Sequence, residues 1–155
     1  MKTKYLFPKL MLIISLSFIF TVSALAQSNT VLSTYLDIKD ALVQTNSKNA
    51  SLAASDMAGT LEGKTDELSK KLLADARAIS NSSEMKMQRK HFDTLSQNVY
   101  EYVKKTGEKE GTVYKQFCPM AFNNTGAFWL AAEKDINNPY FGDMMLHCGS
   151  VKEEL

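Results

Sequence analysis

Four consecutive stretches of the chain repeat their apolar residues at helical spacing, and this feature constrains the fold more than any other. The stretches run from Thr30 to Gln44, from Ser47 to Leu61, from Thr65 to Ile79 and from Glu84 to Lys105. Apolar side chains three and four positions apart share one face of a helix, which is buried against a neighbouring element. Because the connections between these stretches are short, the sequence predicts a mainly α fold, an antiparallel four-helix bundle.

The pattern changes after Gly111. Residues Thr112–Phe117 are rich in β-branched and aromatic side chains, and Ala127–Leu130 can form a returning strand after an Asn-Asn-Thr-Gly turn signal. We therefore expect an irregular C-terminal segment that can include a short β-hairpin. Within it, Met144–Cys148 is expected to form one helical turn, and Lys152–Leu155 is expected to fray.

The amino terminus has the pattern of an export signal. Three lysines precede an apolar run from Leu10 to Val22, and Ala24-Leu25-Ala26 supplies the small residues that signal peptidase prefers. The run is shorter than the helix of about 20 residues that spans a bilayer. We predict a signal peptide at residues 1–26, a single helical-bundle domain at residues 27–155 and a periplasmic or secreted location.

Charge and motifs argue against several classes of function. Loss of the three leader lysines changes the formal net charge from +1 to −2 and leaves no basic run, which argues against a nucleic-acid partner. The sequence has no Gly-rich phosphate loop, no recognisable Ser-His-Asp arrangement and no Cys-x-x-Cys pair. We predict that the protein is not an enzyme and that no membrane span remains after signal removal.

Sulfur-bearing side chains are concentrated between Cys118 and Cys148, a stretch that holds both cysteines and three of the eight methionines. Met120 lies two residues from Cys118, and Met145 lies three residues from Cys148. An extended segment and a helical turn would each point two of these sulfurs in the same direction. Thiolates and thioethers select soft ions such as Cu(I) and Ag(I), whereas zinc has little use for a thioether. The spacing predicts a two-thiolate, two-thioether metal site.

Export also permits a second interpretation of the cysteines, since an oxidising compartment allows them to pair. A Cys118–Cys148 disulfide, closing a loop of about 30 residues, would stabilise the fold by roughly 3 to 4 kcal/mol. The protein would then be a disulfide-stapled helical module that binds a protein partner without metal. Both interpretations stay open at this level.

The two histidines are secondary candidates for metal ligands. His91 borders the apolar stripe of the fourth helix, so it is kept as a further candidate ligand. His147 is adjacent to Cys148, and neighbours on a helical turn point about 100° apart. His147 is therefore the weaker candidate. Of the neighbours Met144 and Met145, at most one can face a shared site.

A set of motifs resembles a known family. Its members are Tyr114–Ala121, Trp129-Leu130, Ile136, Asn138–Asp143 and Met145–Gly149, with Gln88–Phe92 and Leu95-Ser96 on the fourth helix. Over about residues 31–152 this pattern is similar to the bacterial domain-of-unknown-function family 3347. That domain occurs alone behind a signal peptide and at the C-terminus of periplasmic adaptor subunits of heavy-metal efflux systems.

The resemblance implies a periplasmic domain concerned with copper or silver. Cys118, Met120, Met145 and Cys148 match the family pattern position by position, and His91 matches its helix-four histidine. The leading hypothesis is a Cu(I) or Ag(I) chaperone or buffer whose partner is an efflux adaptor or another copper protein. The metal-free, disulfide-stapled module is the alternative.

Overall fold

The computed structural model describes residues 29–155, so the predicted signal peptide at residues 1–26 lies outside the described part of the chain. Four long helices follow one another: α1 (Val31–Val43), α2 (Ser47–Leu61), α3 (Glu67–Ser80) and α4 (Met85–Thr106). Each lies within two residues of the range that the apolar spacing predicts. No helix within residues 29–155 combines the length and the apolar character needed to cross a membrane.

The helix ends are determined by local capping. The Thr30 side chain accepts a hydrogen bond from the backbone N–H of Ser33 and begins α1, and Asn46 and Asp66 cap α2 and α3 in the same way. These side chains satisfy N–H groups that have no partner in the first turn of a helix. At the other end of α4, Gly107 adopts the left-handed conformation (φ 71°) and donates to the carbonyl of Val103.

The helices pack in chain order, and α4 also contacts α1, which closes a bundle around one apolar core. At its centre the rings of Tyr35 and Phe92 stack with centroids 5.0 Å apart. The helical bundle predicted from the apolar spacing is therefore confirmed, whereas the antiparallel direction of its helices stays a prediction. Among the buried residues of the described helices, one is charged: Lys39 on α1 is only 2% exposed and pairs with Asp40 and Glu133.

The C-terminal segment forms a three-stranded antiparallel sheet. Its strands are β1 (Tyr114–Cys118), β2 (Ala127–Ala131) and β3 (Ser150–Glu154), in the spatial order β2-β1-β3. The β1–β2 hairpin occurs where the sequence suggests it. The expectation that Lys152–Leu155 frays is wrong, because the backbone of Leu155 pairs with Val113 and the Glu153 carboxylate accepts from Tyr100 and Lys104. Pairing with β1 overrides the low strand propensity of these residues.

The connections within the segment are irregular. A four-residue turn, α5 (Ala121–Asn124), follows β1 and contains left-handed residues at Phe122 and Asn123, and a 3-10 helix spans Gly142–Met144. The expectation of a single helical turn at Met144–Cys148 is wrong. Met145 leaves the helical region (φ −150°, ψ 53°), and a tight turn follows in which the Cys148 N–H donates to the Met145 carbonyl at 3.0 Å. Gly142, at φ 57°, allows the chain to change direction at this point.

The sheet docks on α1 and α4 through buried polar contacts. The Tyr35 hydroxyl accepts a hydrogen bond from the Leu130 N–H at 3.0 Å and lies 2.8 Å from the Ser96 hydroxyl. Arg89 on α4 donates to the Pro139 carbonyl at 2.9 Å and to the Leu42 carbonyl at 3.2 Å. These contacts hold the C-terminal segment in one position on the bundle.

Candidate functional site

The two cysteines meet at one end of the sheet. Cys118 is the last residue of β1, and Cys148 comes two residues before β3. Because the antiparallel register pairs Phe117 with Ser150, the chain just before β3 lies beside the end of β1. The Cys118 side chain lies close enough to the Cys148 thiol to raise its pKa, and both residues are free thiols. Strand pairing therefore brings together two residues that are far apart in the sequence.

The two thiols differ in exposure. Cys118 is fully buried, whereas Cys148 is half-buried and faces the solvent side of the pair. The hydrogen bond with Cys118, the partial burial and the charge of Cys118 together raise the pKa of the Cys148 thiol, and a hydrogen bond from the Met120 backbone N–H opposes this rise. A thiol whose pKa is raised keeps its proton at neutral pH and is a slow nucleophile.

The backbones of the two predicted thioether ligands, Met120 and Met145, lie near the Cys148 residue. The Met120 backbone lies near enough to Cys148 to lower the pKa of its thiol, and the Met120 side chain is 48% exposed. Met145 accepts the Cys148 N–H through its carbonyl, and its side chain is half-buried. The structure thus brings Cys118, Cys148 and the backbones of Met120 and Met145 close together. The Met120 side chain is partly exposed to solvent rather than packed in the core.

His91 does not join this group. The α4 residues that contact the C-terminal segment include Arg89 and Phe92, whereas His91 is turned toward α3. There, burial raises the pKa of Asp75, and its hydrogen bond from Asn98 and the charge of His91 partly lower it again. Within residues 29–155 no three His, Cys, Asp or Glu side chains form a group that could hold a metal ion. The rotation of 100° per residue places His91 on a different face of the helix.

The weaker candidate ligands, His147 and Met144, do not join the thiol pair either. The His147 ring nitrogen Nδ1 lies 2.8 Å from the Ile136 carbonyl, and the ring is exposed. This contact holds the ring against the 132–137 loop. Met144 is 76% exposed and projects into solvent. Neither side chain is among the groups that affect the Cys148 thiol.

Asn138 organises the loop that carries Cys148, and the sequence patterns assign it no role. It is fully buried, and its Nδ2 donates to the Cys148 carbonyl at 2.8 Å, while its Oδ1 accepts from the Tyr140 N–H at 2.9 Å. Its backbone N–H donates to Leu146, and its carbonyl accepts from Gly142. The Asn-Pro turn signal locates this residue at a bend, but only the folded chain brings its amide to Cys148.

Gly149 lets β3 reach β1 immediately after Cys148. Its φ is 149°, and an added Cβ would lie 3.0 Å from the Phe117 carbonyl oxygen and 3.0 Å from the Trp129 ring. We expect Gly149→Ala to lower the free energy of unfolding by about 1 to 3 kcal/mol, measured by urea denaturation, because crowding and backbone strain add. Gly111→Ala is the matched control, since Gly111 also has a positive φ (74°) but open space around it. Equal losses in the two variants would show that crowding at Gly149 is negligible.

The fold and this pair of thiols define a helical bundle that carries a small sheet with two adjacent, unpaired cysteines at one end. The chain belongs to the family described as "Protein of unknown function (DUF3347)", whose profile matches residues 31–111. The matched region contains all four helices and ends before β1, so the thiol pair lies beyond it. No curated protein and no solved structure matches the chain.

Proposed function

We propose that this protein binds Cu(I) or Ag(I) as a chaperone or buffer, with the thiolates of Cys118 and Cys148 as its main ligands. The observation that carries the proposal is the proximity of two free thiols, one buried and one half-buried. A buried thiol held by a strand gives a fixed ligand, and a half-exposed thiol gives an entry path for an ion. The thioethers of Met120 and Met145 complete the proposed ligand set.

The number and type of donors favour a soft monovalent ion over zinc. A structural zinc site takes four nitrogen or sulfur ligands. Within the described residues the thiol pair has no third His, Cys, Asp or Glu side chain beside it. Thiolates and thioethers are the ligands that Cu(I) prefers, so two thiols with neighbouring methionines suit copper or silver better. When bound, the ion would be cargo rather than a catalyst.

The bundle supplies rigid support in this proposal. We infer that its helices run antiparallel, because connections of only a few residues join neighbours that pack on each other. Export to the periplasm or beyond is proposed from the leader pattern, and a link to heavy-metal efflux is proposed from the family resemblance. An efflux adaptor or another copper protein would be the partner.

A Cu(I) competition titration against a chromophoric chelator, carried out on reduced protein, tests the proposal. We expect one Cu(I) per chain and little displacement by Zn²⁺ in excess. Absence of Cu(I) binding, or equal competition by Zn²⁺, would contradict the ligand set. The stoichiometry also separates a shared site from two independent thiols, which would bind two ions.

The apparent Cu(I) affinity should rise with pH. The raised pKa of Cys148 means that this thiol carries its proton at neutral pH, and the proton must be released when the ion binds. Release of this proton lowers the apparent dissociation constant by up to about tenfold per pH unit below the pKa of Cys148. Competition titrations between pH 6 and 8, corrected for the chelator's own protonation, would measure this slope. A flat profile would mean that the thiols are not the ligands.

The same proximity of Cys118 and Cys148 supports the metal-free alternative, because two adjacent thiols are also the precursors of a disulfide. A free-thiol count on protein purified under native conditions without reductant distinguishes the two. Two reactive thiols favour the metal site, and none favours the stapled binding module. Copper bound only after reduction would mean that the redox state of the pair controls loading.

A further inference from the structure

Two adjoining apolar grooves lie between the start of α4 and the C-terminal segment. The first encloses about 400 Å³ and is lined mainly by Met85, Phe122, Tyr140, Phe141 and Met144. The second encloses about 520 Å³ and is lined by Met87, Phe122, Thr125 and Gly126 with Lys90 and Asp93. Lys86 and Phe122 line both grooves, so the two form one continuous surface, named the methionine surface.

The methionine surface exposes apolar side chains that the core does not need. Met144 is 76% exposed, Phe122 37% and Met87 36%, whereas Met57 is fully buried in the bundle. Contiguous exposed apolar side chains mark interaction sites. Methionine is also suited to such a site, because its unbranched and polarizable side chain adapts to different partners.

The backbone at Phe122 is a second, independent observation. Phe122 has φ 50° and ψ 58°, a left-handed conformation that is unfavourable for a bulky L side chain. Asn123 and Asn124 share the conformation but tolerate it better. Strain of this kind is kept where surrounding structure and function require it. This backbone conformation places the Phe122 ring between the two grooves, with its centroid 5.3 Å from that of the Tyr140 ring.

The charge of the surface indicates the chemistry of its partner. Lys86 and Lys90 are exposed, and neither appears in an ion pair with any residue in the range 29–155. Arg89, which lines the first groove, is engaged by the Pro139 and Leu42 carbonyls. Asp93, at the edge of the second groove, is half-buried, and burial raises its pKa. Two unneutralised lysines beside apolar grooves are complementary to an acidic segment.

We propose that the methionine surface docks an acidic segment of another protein, which places one apolar side chain in each groove and a carboxylate against Lys86. A second copy of this chain fits less well, since a two-fold contact would oppose the same lysines. An anionic membrane is also disfavoured, because lipid-binding patches typically cluster about four to eight basic residues. Neither cysteine lines the two grooves, so peptide binding can be measured on metal-free protein.

The test is a selection of short displayed peptides on metal-free protein. We expect wild-type protein to enrich peptides with two apolar residues among Asp and Glu, and the charge-reversal variant K86E/K90E to enrich basic peptides instead. K70E/K71E, which reverses two exposed lysines on α3, is the matched control and should keep the acidic preference. Met144→Gln should weaken a selected acidic peptide by about tenfold in fluorescence anisotropy, because one groove loses its apolar wall.

Several outcomes would overturn the proposal. These are failure to enrich acidic apolar peptides, an unchanged preference in K86E/K90E, and equal affinity in Met144→Gln. Self-association in sedimentation that competes with peptide binding, or binding to anionic vesicles in place of peptides, would assign the surface to a different occupant. The substituted lysines and Met144 are exposed, so thermal unfolding followed by circular dichroism should match the wild-type protein and confirm that the variants are folded.

Discussion

Replacement of both cysteines by serine, C118S/C148S, is expected to abolish tight Cu(I) binding. A hydroxyl is a poor ligand for a soft ion, so both thiolate ligands are lost. Changes that only disturb the surroundings of a metal site weaken affinity by about ten- to a hundredfold, and removal of the ligands themselves should exceed that range. The measurement is the competition titration of reduced protein. Unchanged Cu(I) affinity in this variant would end the proposal of a thiol site.

The control for this variant must separate lost ligands from lost stability. Cys118 is fully buried, and a serine hydroxyl placed there without a partner costs about 1 to 3 kcal/mol. C118A/C148A removes the ligands without adding a buried hydroxyl, so it should lose Cu(I) binding with a smaller change in the urea midpoint. If the alanine variant keeps the affinity that the serine variant loses, unfolding rather than ligand loss explains the result.

The methionines offer a graded comparison within the same experiment. Met120→Leu and Met145→Leu should weaken binding less than the cysteine variants do, because thioethers supplement the thiolates in the proposed site. Met87→Leu is the matched control, since Met87 lies on α4 and is not among the proposed ligands. A loss of affinity in Met87→Leu equal to that in Met120→Leu would show that the effect is not local to the thiols.

Asn138→Leu is expected to destabilise the protein more than Gly149→Ala does. Leucine has a similar size but leaves the Tyr140 N–H and the Cys148 carbonyl without the partners that Asn138 provides. Each orphaned buried group costs about 1 to 3 kcal/mol, so the free energy of unfolding should fall by about 2 to 6 kcal/mol. That is a large part of the roughly 5 to 15 kcal/mol typical of a domain. Urea denaturation measures the change.

Asn137→Leu is the matched control for Asn138. Asn137 is the adjacent residue, it is half-buried, and its side chain makes one long hydrogen bond of 3.4 Å to Glu133. Its replacement should change stability by less than about 1 kcal/mol, as is usual for residues outside the core. A similar loss in both variants would contradict the central role that the geometry gives to Asn138.

Asn138→Asp separates the two contacts of the Asn138 side chain. The aspartate still accepts from the Tyr140 N–H, but as a carboxylate it cannot donate to the Cys148 carbonyl and faces it as a buried charge. We expect a loss of stability at least as large as in Asn138→Leu together with a measurable loss of Cu(I) affinity in the folded protein. Wild-type affinity in a variant that is clearly destabilised would show that Asn138 does not position Cys148 for binding.

The four helices were predictable because their signals are local. Thr30, Asn46 and Asp66 cap helices within three residues of themselves, and the apolar stripes need no knowledge of the partner they pack against. The hairpin was suggested for the same reason, since the turn signal lies between its two strands. His91 shows the limit of local patterns. His91 lies at the border of the apolar face of α4, as predicted. The apolar spacing does not show which element packs beside that border, and in the structure it is α3.

By itself, then, the sequence determined the helical class, the helix ends and which sulfur-bearing residues are candidate ligands. Only the tertiary structure decided that Cys118 and Cys148 lie near one another, since their proximity depends on β3 pairing with β1. No local pattern in Ser150–Glu154 predicts that pairing, because strand pairing depends on contacts between distant parts of the chain. The contact of the buried Asn138 amide with Cys148 and the position of the Phe122 ring between the two grooves also depend on long-range packing.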